Sequence, residues 1–92
     1  MYVVRSTKKY RKSYAKIMYS GKFPKEEIDF VINTLASGKK LDEKYRDHAL
    51  SGELAELREC HIKPDLLLLY QIQEEVLVLW AVDIGSHSDL FK

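Results

Sequence analysis

The sequence predicts an α+β domain in which an N-terminal strand and a helical hairpin pack on a mostly antiparallel four-stranded sheet, in the order β-α-α-β-β-β. Two observations predict this class: apolar residues recur with a helical period between residues 8 and 36, and the later segments are alternating or continuously apolar, as strands are. With 92 residues, 46% of them hydrophobic, the chain is expected to form one domain, 1–92.

One strand and one helix are predicted in residues 2–21. Tyr2–Arg5 is short, β-branched and aromatic, which favours a strand. Ser6 or Thr7 can cap the helix that follows, and Gly21 suits its C-terminal end. The apolar residues of this helix recur at i, i+4, i+7 and i+8 and form one stripe: Tyr10, Tyr14, Ile17 and Met18.

A second helix and three strands account for most of the remaining chain. Pro24 suits the first turn of the helix, and Ser37-Gly38 is expected to stop it. Residues 39–47 are polar and are interpreted as a loop. The strands are expected at Glu53–Lys63, Leu66–Ile72 and Val76–Val82.

The charge is unevenly distributed, although the net charge is only +1. Residues 1–25 carry eight Lys or Arg and no acid, whereas residues 26–92 carry seven Lys or Arg against fourteen acids. A basic segment of this kind indicates either a surface that faces a polyanion or simply a solvated helix face. Its helical members are Lys8, Lys9, Arg11, Lys12 and Lys16.

Several classes of protein are disfavoured by composition. Cys60 is the one cysteine, so no internal disulfide can form, and no Cys/His pair has zinc-ligand spacing. The N-terminal residues lack the apolar segment of a secretory signal, and apolar runs such as Leu66 to Tyr70 are too short to cross a bilayer. These features predict a cytoplasmic protein without a metal, a cofactor or a membrane partner.

All three histidines lie in the C-terminal half of the chain. In a meander of three strands, the end of the second strand and the end of the last lie at the same sheet edge, so His61, Asp65 and His87 could converge there. His48 would enter from the preceding loop. Histidine suits proton transfer near neutral pH, as metal-free RNA cleavage requires, and Arg46, Arg58 or Lys63 could stabilise charge developing on phosphorus.

Simpler interpretations of these residues remain open. Each histidine could be structural or merely solvated, and His61 with Asp65 could form an ordinary surface ion pair. The histidines could also bind a metal, although their separations of 13 and 26 residues match no standard motif. Phe91 could be disordered, cap the core or stack on a nucleic-acid base.

Three short motifs carry a family resemblance. They are Asp47-His48-x-Leu50-x-Gly52, Arg58-(x)₂-His61-(x)₂-Pro64-Asp65-(x)₄-Tyr70, and Gly85-Ser86-His87-(x)₂-Leu90-Phe91. In this order and at this spacing, the chain resembles the YafQ branch of the RelE toxin superfamily. The resemblance implies a type II toxin that cleaves mRNA in the ribosomal A site without a metal. It also implies these catalytic residues: His48, His61, Asp65, His87 and Phe91.

The resemblance further implies roles and partners. Phe91 would orient the mRNA nucleotide, His87 would be one proton-transfer partner, and Asp65 with His61 or His48 would be the other. The basic first helix would contact 16S rRNA of the 70S ribosome. A DinJ-like antitoxin would cover the basic surface and the site, in a heterotetramer of two toxins and two antitoxins.

One position departs from the expected pattern, and two alternative functions remain. Before the Gly-Ser-His motif some relatives are expected to carry a basic residue, where this chain has Asp83-Ile84. An acid facing the site would repel phosphate, in which case Arg46 or Lys63 would have to stabilise the transition state. The alternatives are a gyrase inhibitor of the related ParE type, whose members generally lack these histidines, and an RNA-binding module without activity.

Overall fold

The computed structural model describes residues 1–91 and places two helices against one face of a five-stranded sheet. The elements are β1 (Val3–Ser6), α1 (Lys8–Ser20), α2 (Lys25–Ala36), β2 (His48–Ala49), β3 (Arg58–Lys63), β4 (Leu66–Gln73), β5 (Val78–Gly85) and α3 (His87–Leu90). The predicted α+β class is confirmed. The predicted number of four strands is wrong, because the short β2 adds a fifth.

Both predicted helices form, and local capping explains where α1 begins and ends. The Thr7 hydroxyl oxygen accepts the Tyr10 amide hydrogen and caps α1, while its own hydrogen is donated to the Val82 carbonyl at 2.6 Å. Gly21 ends α1 with φ of +67°, a conformation that glycine adopts without a steric cost. Because the Thr7 hydroxyl both caps α1 and contacts Val82, it also ties the start of the helix to β5.

The strands are ordered β1-β5-β4-β3-β2. β1 pairs with β5 in parallel, and the other neighbouring pairs are antiparallel. β1 can lie parallel to β5 because the helical hairpin and three further strands separate them in the chain. This order makes β2 an edge strand of the sheet. β3 and β5 both run antiparallel to β4 and therefore parallel to each other, so their C-terminal ends lie at the same end of the sheet.

The largest differences from the predicted strands concern β2, β3 and the start of β5. β2 was not predicted and directly follows the expected loop. Its two residues are too few to show the alternating pattern by which a strand is recognised in a sequence. β3 begins at Arg58 rather than Glu53, since Gly52–Leu54 forms a 3-10 turn. β5 begins at Val78 rather than Val76, because Glu74–Val76 forms another such turn and Leu77 follows it with φ of +53°.

The core lies between the helices and one face of the sheet. Ile28 and Val31 of α2 are fully buried against strand residues that include Cys60 and Tyr70. Leu67 and Leu69, which alternate with Leu68 and Tyr70 along β4, point to the opposite face and are buried as well. In residues 1–91, no helix has the length and apolar character needed to cross a membrane.

Candidate active site

The pairing register collects the site on the sheet face turned away from the helices. His48 lies opposite Glu59, and His61 lies opposite Leu67, which in turn lies opposite Gly85. Directly paired residues share a face, as do residues two apart in one strand. His48, Glu59 and His61 therefore share one surface with the strand end that leads into His87.

Both strand histidines converge on a single carboxylate oxygen. Oε1 of Glu59 lies 3.4 Å from Nε2 of His48 and 3.3 Å from Nε2 of His61. The Glu59 side chain is only 7% exposed, and a buried carboxylate requires compensating charge or hydrogen bonds. Sequence reasoning missed Glu59. The available signal was its position two residues before His61 on the same strand face.

The orientation of the His48 ring is fixed by the backbone. Nδ1 of His48 lies 2.7 Å from the Arg46 carbonyl oxygen. A carbonyl can only accept, so Nδ1 carries the hydrogen and donates it. This leaves Nε2 as the nitrogen that faces Glu59 and can exchange a proton.

His87 and Phe91 form a second part of the site at the end of β5. His87 is the first residue of α3, and Ser86 and Asp89 form a reciprocal capping box around that helix start. The rings of His87 and Phe91 are 4.9 Å apart, and the Phe91 amide donates to the His87 carbonyl at 3.0 Å. The short helix thus holds an aromatic ring directly beside the exposed imidazole.

Asp65 lies in the turn between β3 and β4, with its side chain 61% exposed. Its carboxylate is 3.9 Å from Nζ of Lys22, in the connection between the two helices. The acid beside His61 is Glu59 rather than Asp65. Among the predicted residues, the contacts of the structure join His48 with His61 through Glu59, and His87 with Phe91.

A cleft of about 500 Å³ adjoins His61 at the edge of β3. It is lined by Glu27, Lys44, Tyr45, Arg46, His61, Ile62, Lys63 and Pro64. Lys63 forms an ion pair with Glu27 of α2 at 2.6 Å. Arg46 has no ion-pair partner within residues 1–91, so its guanidinium is available to an anion.

The other predicted cations differ in their surroundings. Arg58 is partly buried, and its guanidinium contacts Asp47 and the Tyr70 hydroxyl. The basic residues of α1 are all exposed: Lys8, Lys9, Arg11, Lys12 and Lys16. Helix α1 therefore presents several exposed cations to solvent, whereas the Arg58 guanidinium is engaged by Asp47 and Tyr70.

The sequence model of a protein family described as the bacterial toxin of type II toxin-antitoxin systems, YafQ, matches residues 2–92 of this chain. The chain belongs to the YafQ toxin family. A toxin named YafQ from Haemophilus influenzae is 44% identical over 59 residues, or 62% of this chain and 58% of that protein. The mRNA interferase toxin YafQ of Escherichia coli K12 is 34% identical over 47 residues, 51% of this chain and 49% of its own length. The matches thus span about half of these curated relatives.

Solved toxin structures superpose over 99–100% of this chain. A metal-bound toxin from Helicobacter pylori is 43% identical, with a TM-score of 0.89 over 99% of this chain and 100% of that one. YafQ in the E. coli DinJ-YafQ complex is 20% identical, with a TM-score of 0.86 over 100% of both chains. At that identity, the second likeness establishes the fold alone.

Asp83 lies just before the Gly-Ser-His motif, where some relatives were expected to carry a basic residue. The residue is 4% exposed. Its carboxylate accepts hydrogen bonds from the Ser13 hydroxyl at 2.7 Å and the Ile84 amide at 2.8 Å, and lies 3.6 Å from Nζ of Lys9. The negative charge is therefore directed toward α1 and compensated there, which weakens the repulsion that an acid at this position would exert on phosphate.

Proposed function

We propose that this toxin is an endoribonuclease that cleaves mRNA in the ribosomal A site by metal-independent acid–base chemistry. The observation that carries the proposal is the convergence of His48 and His61 on the buried carboxylate of Glu59, on the sheet face that leads to His87. The E. coli relative is named an mRNA interferase toxin, which supports the same substrate.

The reaction requires two positioned proton-transfer groups. A base removes the proton of the ribose 2′-OH, the resulting oxygen attacks phosphorus, and the bond to the 5′-oxygen breaks as an acid protonates that leaving group. The products are a 2′,3′-cyclic phosphate and a free 5′-hydroxyl. His87 is one partner in this scheme, and His61 or His48, with Asp65 at the nearby turn, supplies the other. Each such group typically contributes about 10²- to 10⁴-fold in rate.

Glu59 has a supporting role in this scheme. A single carboxylate 3.3–3.4 Å from two imidazoles stabilises whichever of them carries the positive charge. The low exposure of Glu59 makes this attraction stronger than it would be on an open surface.

The cleft beside His61 is the part of the site suited to the scissile phosphate and its neighbours. Arg46 is our candidate for the group that stabilises charge developing on phosphorus, because Lys63 is already paired with Glu27. Phe91, next to His87, is positioned to stack on the base of the nucleotide being cleaved.

The proposed partners follow from the charge of α1 and from the relatives. The exposed basic residues of α1 suit contacts with phosphates of 16S rRNA. A DinJ-like antitoxin is the proposed protein partner, since the E. coli YafQ structure is a DinJ-YafQ complex. We expect two toxins and two antitoxins in the complex, and a cytoplasmic location for both.

Growth of bacteria that express the chain tests the proposed function. Wild type should arrest growth with rapid loss of message, and His87→Ala should not, while Ser88→Ala in the same short helix should behave as wild type. Thermal denaturation of the purified variants must show that all three are folded. Growth arrest by His87→Ala, or arrest with DNA damage and intact message, would contradict the proposal and favour a gyrase-directed toxin.

A further inference from the structure

Three motif residues that the proposed chemistry does not use meet in one hydrogen-bond network. The Tyr70 hydroxyl donates to Oδ1 of Asp47 at 2.5 Å. Nε of Arg58 donates to the same hydroxyl oxygen at 3.2 Å, and Nη2 of Arg58 lies 3.3 Å from Oδ2 of Asp47. Each residue thus contacts the other two, and the hydroxyl both donates and accepts. We refer to Asp47, Arg58 and Tyr70 as the triad clamp.

Burial makes the clamp a strong set of contacts. Tyr70 is fully buried in the core, and the Asp47 side chain is only 20% exposed. Burial and the hydrogen bond to Asp47 raise the pKa of the Tyr70 hydroxyl above its ordinary value, so the hydroxyl keeps the hydrogen that it donates. Hydrogen bonds to charged groups are stronger than those between neutral groups.

Two residues of the clamp are the immediate sequence neighbours of two residues of the site. Asp47 precedes His48 and Arg58 precedes Glu59 in the chain. Successive side chains of a strand point to opposite faces, so Arg58 and Glu59 project from opposite faces of β3. The contacts with Arg58 and Tyr70 hold Asp47, the residue before β2, on the side of Arg58, while His48 lies opposite Glu59. Tyr70, opposite Arg58 on β4, anchors both to the centre of the sheet.

β2 needs such a device because its backbone pairing is minimal. It pairs with β3 at two positions only, His48 with Glu59 and Ala49 with Arg58. A slip of one residue would turn the His48 side chain to the opposite face of the sheet. The side-chain contacts between Asp47 and Arg58 specify the register that the short strand defines only weakly.

We propose that the triad clamp is a positioning device that holds His48 against Glu59 in the geometry needed for proton transfer. The inference rests on the proposed function, in which His48 is a site residue. In this role Arg58 acts through His48 and does not contact an RNA phosphate. Asp47, Arg58 and Tyr70 are therefore positioning residues rather than catalytic ones.

The experiment compares Tyr70→Phe with Tyr10→Phe. Both remove one hydroxyl from a buried tyrosine, but Tyr10 lies on α1 and takes no part in the clamp. Nitrogen–proton NMR spectra of the His48 imidazole report which ring nitrogen carries the hydrogen. Ribosome-dependent cleavage measured on the same samples separates kcat from KM.

In Tyr70→Phe we expect the His48 ring to lose its single Nδ1–H form and kcat to fall about 10- to 100-fold with an unchanged KM. Tyr10→Phe should leave all three at the wild-type values. Unchanged His48 spectra in Tyr70→Phe would overturn the proposal whatever the activity, as would altered spectra with unchanged kcat.

A second variant keeps the proposal testable if Tyr70→Phe does not fold. Asp47→Asn keeps the shape of the side chain but removes the charge that Arg58 and Tyr70 bind, and it should alter the His48 spectra in the same direction. Wild type that does not cleave message would refute the proposed function. The His48 spectra would then still show whether the clamp orients the ring, so the two failures are distinguishable.

Discussion

Oε1 of Glu59 lies 3.3 Å from Nε2 of His61, within one strand and on the face opposite the core. The same oxygen is 3.4 Å from Nε2 of His48 on the neighbouring strand. One carboxylate therefore supports two imidazoles from two neighbouring strands. This relationship links the short strand β2 to the chemistry proposed for the sheet face.

Replacing Glu59 with glutamine should reduce cleavage of ribosome-bound message about 100-fold, since the amide keeps the size of the side chain but cannot neutralise an imidazolium. Glu53→Gln makes the same chemical change at an exposed turn and should cleave as wild type does. The rates would be measured under single-turnover conditions. Equal rates for Glu59→Gln and wild type would show that the Glu59 carboxylate does not contribute to cleavage.

Replacing Asp83 with arginine, which restores the expected basic residue, should destabilise the protein by about 2–4 kcal/mol. The substitution removes the acceptor of the Ser13 and Ile84 hydrogen bonds and places a charge in a buried position. Urea denaturation would measure the change. Asp29→Asn, which breaks the exposed pair with Lys25, should cost no more than about 1 kcal/mol. Equal stability of Asp83→Arg and wild type would show that the α1 contacts of Asp83 are dispensable.

The free energy of unfolding should fall as pH rises above about 9. Burial raises the pKa of the Cys60 thiol to about 12, and it also raises the pKa of the Tyr10 and Tyr70 hydroxyls. The unfolded chain ionises these groups at their ordinary pKa values, about 8.5 for cysteine and about 10 for tyrosine. It then binds fewer protons than the native state, so native stability decreases with pH.

Urea denaturation at several pH values checks this dependence. In Cys60→Ala the decline should begin at a higher pH, because only the tyrosines remain to cause it. A free energy of unfolding that stays constant between about pH 8 and about pH 11 would contradict the burial of these groups.

Charge removal on α1 should weaken ribosome binding in a salt-dependent way. The double variant Lys8→Ala, Lys12→Ala removes two exposed cations, and the slope of log affinity against log salt should decrease by about 0.7–0.9 for each lost phosphate contact. Lys39→Ala, Lys40→Ala removes two exposed cations after α2 and serves as the matched control. Equal slopes for both double variants would place the rRNA contact elsewhere.

The sequence predicted the fold class and both helices, because these depend on long periodic segments. It did not predict β2, whose two residues have no detectable period and form a strand only by pairing with β3. It also missed Glu59. An alternating strand predicts the face on which a residue lies, but not that a glutamate there is buried between two histidines from different strands.

The position of Asp83 could not be predicted for a related reason. The pairing between β4 and β5 is irregular next to this residue, so simple alternation along β5 does not give the direction of its side chain. The contacts with Ser13 and Lys9 depend on how α1 lies across the sheet. That packing is a property of the whole fold, whereas the sequence motifs are local.

The most direct test of the central claim is translation in vitro with purified 70S ribosomes and a defined message, with cut sites mapped by primer extension in the presence and absence of EDTA. We expect cuts confined to A-site codons and absent for folded His87→Ala. The amount of cleavage should be equal with and without the chelator, with enough magnesium present to keep the ribosomes intact. Intact message with folded wild-type protein, or cleavage that persists in His87→Ala, would contradict the claim.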